Sequence, residues 1–294
     1  MTAGRRPPRT LLPDTVGSDH QQPTSLQGLA NNAKTAKPHR VRDLDGGLDA
    51  DLWLAGWRDL NQQAARGVDG LPAPAYEAKL QANITALVQR LNTHRDRANL
   101  VRRCSIPKEN GVERPRGLPA REDKVGQLAG AQRLMAIYAP DFLDGRDGDR
   151  PGRGALEAVR DRTLDLPDGS DGSLVEADVK GVFDHLDHPR LLTMRRERLD
   201  DRASLRLLRN WLKAGVLETD GRVVPPETGS PQGGCLAPVL AHVYGHDALD
   251  VWVAEEVKTP GRGEARRCRS ADDWVCACRD QDDAERCYRG RPGG

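Results

Sequence analysis

CRSADDWVCAC, residues 268–278, sets two adjacent aspartates between a basic stretch and an apolar, cysteine-rich one. The simplest reading is a hairpin in which RRCRS (266–270) and WVCACR (274–279) are strands and Asp272-Asp273 lie at the tip. A match stands about 95 residues upstream. In SLVEADVKGVFD (173–184) the period is two: Val175, Ala177 and Val179 fall on one face, and Leu174, Glu176 and Asp178 on the other. That strand delivers Asp178 near its C-terminal end. Strand-end carboxylates brought side by side can bridge two Mg²⁺ ions, which prefer oxygen ligands and leave positions for phosphates. The chain also carries its own control, since Asp200-Asp201 and Asp282-Asp283 are pairs as well. Both of these read as helix-flanking surface charge.

Working outward, helices are expected over PAYEAKLQANITALVQRL (74–91), where Leu80, Ile84, Leu87, Val88 and Leu91 form one stripe, and within REDKVGQLAGAQRLMAIY (121–138), weakened by Gly126 and Gly130. RGALEAVRDRTL (153–164), HPRLLTMRRERL (188–199) and ASLRLLRNWLKAG (203–215) follow. Asp220-Gly221 between apolar residues signals a hairpin. The loop ETGSPQGGCLAP leads into a helix with Pro238 in its first turn. Helices, strand, helices, hairpin, helix, hairpin is not a regular strand and helix alternation. It points to an α+β fold with an antiparallel sheet.

Composition bounds the function. The 294 residues are 37% hydrophobic, 4% aromatic and 30% charged, so part of the chain is expected to lie outside any core. Net charge is only +1, but it is unevenly spread. Arg95–Arg133 holds ten basic and five acidic residues, and Pro189–Lys213 eight and three, whereas Asp141–Asp184 holds six and twelve. Two basic segments around an acidic one suit a polyanion held near a cation site. No apolar h-region opens the chain and no apolar run approaches a membrane span, so a cytoplasmic protein with no membrane partner is expected. The six cysteines show no CxxC pair. Cys276 and Cys278, two apart, read as buried strand thiols rather than zinc ligands.

Six blocks in order carry a resemblance: GVDG (67–70), RRCSIPKENGVERPRGLP (102–119), EADVKGVFDHLDH (176–188), LLRNWLKAGV (207–216), GSPQGGCLAPVLAHVY (229–244) and SADD (270–273). Together, over roughly residues 50 to 288, the chain resembles the group II intron-encoded reverse transcriptase (maturase) family. The resemblance implies a right-hand polymerase with a ferredoxin-like antiparallel palm sheet and helices. Residues 1–45, without periodicity and rich in proline and basic residues, read as a disordered tail; the resemblance implies fingers over 46–120 and a palm over 121–294 that returns to the fingers near 190–228. The activity implied is RNA-directed DNA polymerase, with two Mg²⁺ ions, an RNA template and DNA primer, group II intron RNA, and deoxynucleoside triphosphates.

Carried over by position, Asp178 and Asp272 would be the metal-binding catalytic carboxylates, Asp273 would support them, and Val179 would lend its backbone to a metal. Phe183 would stack under the incoming sugar and exclude a 2′-hydroxyl. Lys108 and Arg114, flanking Asn110-Gly111, would grip the triphosphate, and Pro231-Gln232-Gly233 would shape the nucleotide pocket. The sequence departs from the pattern at Ser270, where the family has an aromatic residue. It departs again at Asp149 in GDRPGRG (148–154), at Lys124 in place of an arginine ahead of Gln127, and at Ala241-His242. The thumb, maturase and endonuclease segments are expected to be absent, leaving weak, distributive synthesis or none. A non-catalytic RNA-binding maturase remnant is the alternative within the family. A metal-dependent nucleotidyl cyclase is the alternative outside it, and it leaves IPKENG and SPQGG unexplained.

Overall fold

The structure, a computed structural model, describes residues 25–35, 50–107, 111, 113–142, 172–178, 181, 183–199, 201–230, 233–252, 265–270 and 273–290. These form a mixed fold of helix and sheet divided into two compact units. One holds the described residues of 18–137 and 182–237, the other those of 138–181 and 238–294.

The first unit is mainly helical. Its elements are α1 (Leu26–Thr35), α2 (Ala50–Asp59), α3 (Ala73–Glu77), α4 (Leu80–Asn92), α5 (Arg121–Tyr138), α6 (His188–Arg198) and α7 (Arg202–Leu212). The two glycines that lower the helix propensity of α5 are where indole rings seat. A Cβ at Gly126 would lie 2.7 Å from the Trp53 ring and 2.9 Å from that of Trp211, and one at Gly130 3.1 Å from Trp211. Burial of aromatic surface thus outweighs a propensity cost of about 1 kcal/mol per glycine. Helix α7 buries Leu207, Leu208, Trp211 and Leu212 and exposes Arg202 and Arg209, while half-buried Arg206 donates to the Leu91 carbonyl at 3.2 Å.

A small sheet completes this unit, in the order β2-β1-β4-β5. Strands β1 (Val101–Pro107) and β2 (Glu113–Leu118) form an antiparallel hairpin, with Arg102 opposite Leu118 and Ile106 opposite Arg114. Strand β4 (Val216–Leu217) joins β1 in parallel and closes antiparallel onto β5 (Val223–Val224). The expected Asp-Gly turn connects β4 and β5, with Gly221 at φ +87°.

The second unit is a three-stranded antiparallel sheet of order β3-β7-β6: β3 (Ser173–Asp178), β6 (Ala265–Ser270) and β7 (Asp273–Cys278). Helix α8 (Ala237–Gly245) runs into one π-helical turn, His246–Asp250, and α9 (Gln281–Gly290) ends the described chain. The period-two reading of β3 holds: Val175 is 7% exposed and Leu174 66%. On the covered face, Val175, Trp274, Cys276 and Cys278 pack with Ala284 and Cys287 of α9. Cys276 and Cys278 are fully buried, their sulfurs 3.8 Å apart.

Several expectations need correcting. Within the stretch read as tail, Leu26–Thr35 is helical, with Leu29 and Ala33 buried and the Ala33 carbonyl accepting from Arg198 at 2.7 Å. A short polar helix gains its order from that docking rather than from propensity. The single helix over 74–91 is two helices, because α3 closes at Ala78 and Lys79 leaves helical geometry at φ −124°. Helices α2 and α9 were not anticipated. Asp201, the N-cap of α7, and Asp283, in the first turn of α9, are buried rather than surface charges. Asp201 caps α7 through the backbone amides of Ala203 and Ser204, and its carboxylate lies 3.6 Å from buried Arg133. Asp283 accepts from Arg286 at 2.6 Å. The helix expected over 153–164 and the Asp149 substitution lie outside the described residues. No helix among the described residues is long and apolar enough to cross a membrane.

Candidate functional site

At one end of the three-stranded sheet, acidic residues meet by register. Asp178, the last residue of β3, pairs directly with Asp273, the first of β7, and Asp273 also pairs with Ser270 of β6. Directly paired residues in an antiparallel ladder share a face, with Cα atoms about 4.5–5.5 Å apart. By alternation this is the face of Leu174 and Glu176, opposite the packed cluster around α9. The register leaves Ala271-Asp272 as the connection from β6 to β7. Asp272 lies outside the described residues, as does Val179, and for Asp178 and Asp273 the backbone alone is described. Among the described residues no group of three His, Cys, Asp or Glu side chains is arranged to hold a metal ion. That set excludes these three carboxylates.

The other unit holds two loops stitched together. The turn after β3's segment, 183–188, lies against 228–230. Ser230 N–H donates to the Phe183 carbonyl at 2.7 Å, Gly229 N–H to Leu186 at 2.8 Å, and the Thr228 hydroxyl to Asp184 at 3.0 Å. His188 Nε2 lies 2.6 Å from the Gly229 carbonyl. A carbonyl only accepts, so the proton is on Nε2. Gly229 has φ +82°, and a Cβ there would sit 2.7 Å from the Phe183 carbonyl oxygen, which is backbone and cannot rotate away. Only glycine allows the two chains to close this far. Phe183 itself is half-buried.

The same glycine-rich loop reaches the β1–β2 hairpin. Gly233, at φ +108°, is placed so that a Cβ would lie 2.9 Å from the Gly117 carbonyl and 3.5 Å from the Arg116 side chain. Arg114 and Arg116, two apart on β2, share one strand face, and Arg114 is exposed. Lys108, Asn110, Pro231 and Gln232 lie outside the described residues. The structure therefore brings Phe183 to Ser230 and Gly233 to β2.

Around this loop the basic residues of α5 are turned inward. Lys124 donates to the Ala65 carbonyl, and burial, helped by the Arg121 charge, pushes its ammonium below the usual lysine range. Arg121 donates to the carbonyls of Leu71 and Ala64, and Arg102 to Arg66 at 2.6 Å. Burial pushes the Cys235 thiol up, so it stays neutral. Three basic side chains thus hold segment 64–71, which contains GVDG, and the backbone N–H of Arg121 donates to Asp69 at 2.7 Å.

Sequence reasoning gave no role to Asp187, His188 or Arg116. Asp187 and His188 close the EADVKGVFDHLDH block; Asp187 caps α6 by accepting from Arg190 N–H at 2.6 Å. The Asp-His-Pro start of a helix is a capping signal that could have found it. His188's partner lies 41 residues away, beyond any local signal.

Comparison with known proteins follows the same residues. A family model described as Reverse transcriptase (RNA-dependent DNA polymerase) matches residues 106–290. Group II intron-encoded protein LtrA of Lactococcus lactis subsp. cremoris is 32% identical over 209 residues, covering 71% of this chain and 34% of that protein. The chain thus spans about a third of that relative's length. Protein YkfC of Escherichia coli (strain K12) is 30% identical over 279 residues, covering 84% of this chain and 73% of that one. Among solved structures, a chain of a partial Cas6-RT-Cas1–Cas2 complex is 19% identical with a TM-score of 0.46. The match covers 80% of this chain and 38% of that one.

Proposed function

Because the chain belongs to the group II intron-encoded reverse transcriptase family, we propose that it catalyses RNA-directed DNA synthesis by nucleotidyl transfer at Asp178, Asp272 and Asp273. In this reading the three-stranded sheet is the palm and the β1–β2 hairpin belongs to the fingers. The substrates are an RNA template, a DNA primer and deoxynucleoside triphosphates, and a group II intron RNA is the partner. The observation that carries the reading is the register of Asp178 against Asp273. Two carboxylate residues in direct opposition at a strand end, with a third next in sequence, are a hard-oxygen donor set that fits divalent magnesium.

Asp178 and Asp272 would hold two such ions, with Asp273 beside them and the Val179 carbonyl as a further ligand. Bound there, the ions supply Lewis-acid stabilisation of the primer 3′-oxygen and of the leaving pyrophosphate. The remaining work falls to the chain's other residues. Lys108 and Arg114 neutralise the triphosphate, and Arg114 can do so in bidentate fashion. Phe183, fixed through its own carbonyl by Ser230, presents a ring to the sugar and leaves no room for a 2′-hydroxyl. Pro231, Gln232 and Gly233 form the backbone against which the base pair is tested.

Primer extension on an RNA template with Mg²⁺, comparing wild type with Asp272→Asn, tests this. Extension by the wild type and its loss in the variant are expected. Equal extension by both removes the assignment. A second reading, an RNA-binding protein without catalysis, is favoured by one observation. A groove of about 380 Å³ between α6 and α7 is lined by Arg196, Arg202, Arg206 and Arg209 over an apolar floor. Tight, salt-sensitive RNA binding with no extension at any Mg²⁺ concentration selects it.

A further inference from the structure

On the face of the three-stranded sheet opposite that of Asp178 and Asp273, β6 buries an arginine that pairs in register with Trp274. In β6, Arg269 is 1% exposed, beneath the strand rather than in solvent. Its guanidinium forks onto Asp250, Nε donating to Oδ1 at 3.0 Å and Nη2 to Oδ2 at 2.7 Å, with Asp250 equally buried. Nη2 also donates to the His242 carbonyl, near the C-terminal end of α8, at 3.2 Å. Room for the fork is provided by Gly245, where a Cβ would lie 2.8 Å from Nη1. Asp250 ends the π-helical turn, and His246 in the same turn rests edge-on against Phe142 with ring centroids 5.3 Å apart. A π turn shifts the residues after it around the helix axis, and here Asp250 meets the arginine.

Register is the reason such a pair matters. Among the described residues strand β6 is an edge of its sheet and pairs with β7 alone. Its sequence, ARRCRS, places arginine at 266, 267 and 269 and so offers no apolar alternation to choose between pairings. A slip of one residue would turn Arg269 to the open face and leave Asp250 buried without its fork. The same slip would move Ser270 off Asp273, changing the connection that contains Asp272.

We propose that Arg269 and Asp250 are positioning residues that lock the register of β6 and thereby hold Ser270 opposite Asp273, at the strand end where the carboxylates are proposed to bind metal. This rests on the catalytic reading above, and the experiment separates the two. Singly substituted, either partner leaves a buried charge and the chain can fail to fold. The informative variant is therefore Arg269→Met with Asp250→Leu, an apolar pair of similar volume, which keeps the packing and removes the charges. Its melting temperature is expected at or near that of wild type.

Manganese binding is then titrated by electron paramagnetic resonance on the whole chain, with Asp272→Asn as reference. The double variant is expected to bind Mn²⁺ about 10- to 100-fold more weakly than wild type, the range for losing a residue that orients a ligand. Cross-strand NOEs between positions 269 and 274 are expected to weaken with it. Arg269→Lys, which keeps charge but not the fork, should fall between the two. A folded double variant with wild-type Mn²⁺ affinity overturns the lock while leaving the metal site standing. Wild-type binding that Asp272→Asn does not reduce overturns the metal site itself, and the lock with it.

Discussion

Gly229 and Gly221 share a left-handed backbone, φ +82° and +87°, and differ in what surrounds them. Nothing lies within 4 Å of a Cβ built at Gly221, whereas one at Gly229 meets the backbone of Phe183 and Asp184 at 2.7–3.0 Å. Alanine at either position incurs about 1–2 kcal/mol for the left-handed conformation. At 229 the two loops must also separate, which endangers four hydrogen bonds: Ser230 to Phe183, Gly229 to Leu186, Thr228 to Asp184 and His188 to Gly229. At about 0.5–1.5 kcal/mol each, full opening costs about 2–6 kcal/mol more. Gly229→Ala is therefore expected to lose at least about 2 kcal/mol beyond Gly221→Ala in denaturant titration. It should also raise KM for deoxynucleotide, because Phe183 loses its anchor, while Gly221→Ala leaves KM unchanged. Equal stability losses in the two variants would refute the claim that the loops are closed on a glycine.

Three further outcomes are expected. Gly126→Ala, forced against two indoles, should be destabilising by about 1–3 kcal/mol less a propensity gain of about 1, while Gly130→Ala should be near neutral; thermal melts of the pair check this. Asp201→Ala strips the cap from α7 and the buried partner from Arg133, for a loss of about 3–5 kcal/mol, against about 1 kcal/mol for Asp187→Ala at an exposed cap. Burial pushes the carboxyls of Asp96, Glu122 and Asp123 above the usual range, despite the Arg90 charge at the first two and Asn99's hydrogen bonds at Asp123. The folded chain holds these protons more tightly than the unfolded one. Their contribution to stability is full below the unfolded carboxylate range and is lost as pH rises through the folded values. Asp123→Asn, which can still accept from Asn99, should flatten the dependence of melting temperature on pH between about 4 and 7 and be no less stable at pH 7. A variant whose melting temperature falls over this range as steeply as that of wild type contradicts this.

The parts of the fold legible in the sequence were those written in local periodicity. Leu174 and Val175 announced their faces by alternation, and Asp220-Gly221 its turn by backbone preference. The 268–278 segment announced its hairpin by the change from basic to apolar. Three kinds of feature were not legible. Docked elements such as α1 carry too little apolar surface to stand out, since a partner elsewhere supplies their order. Burial of acidic residues was missed at Asp201 and Asp283 because charge on a helix flank normally faces water, and only the fold reveals a waiting arginine. Long-range polar contacts, His188 to Gly229 or Arg269 to Asp250, leave no trace in spacing at all. The family motifs located residues of the candidate site, and the register of β3 against β7 then paired Asp178 with Asp273.

The order of the three-stranded sheet also bears on how the chain comes off the ribosome. Among the described residues the strand that carries Asp178 pairs only with β7, Ser173 meeting Cys278, so this pairing waits until about 100 further residues have been made. At about 5–20 residues per second that is a wait of about 5–20 s. Throughout it, Leu174 and Val175 belong to a strand without its β7 partner, and an unpaired strand edge is a template for association with other nascent chains. Yield in cells should therefore depend on chaperone supply and on translation speed over residues 179–272 more than on the stability of the finished fold.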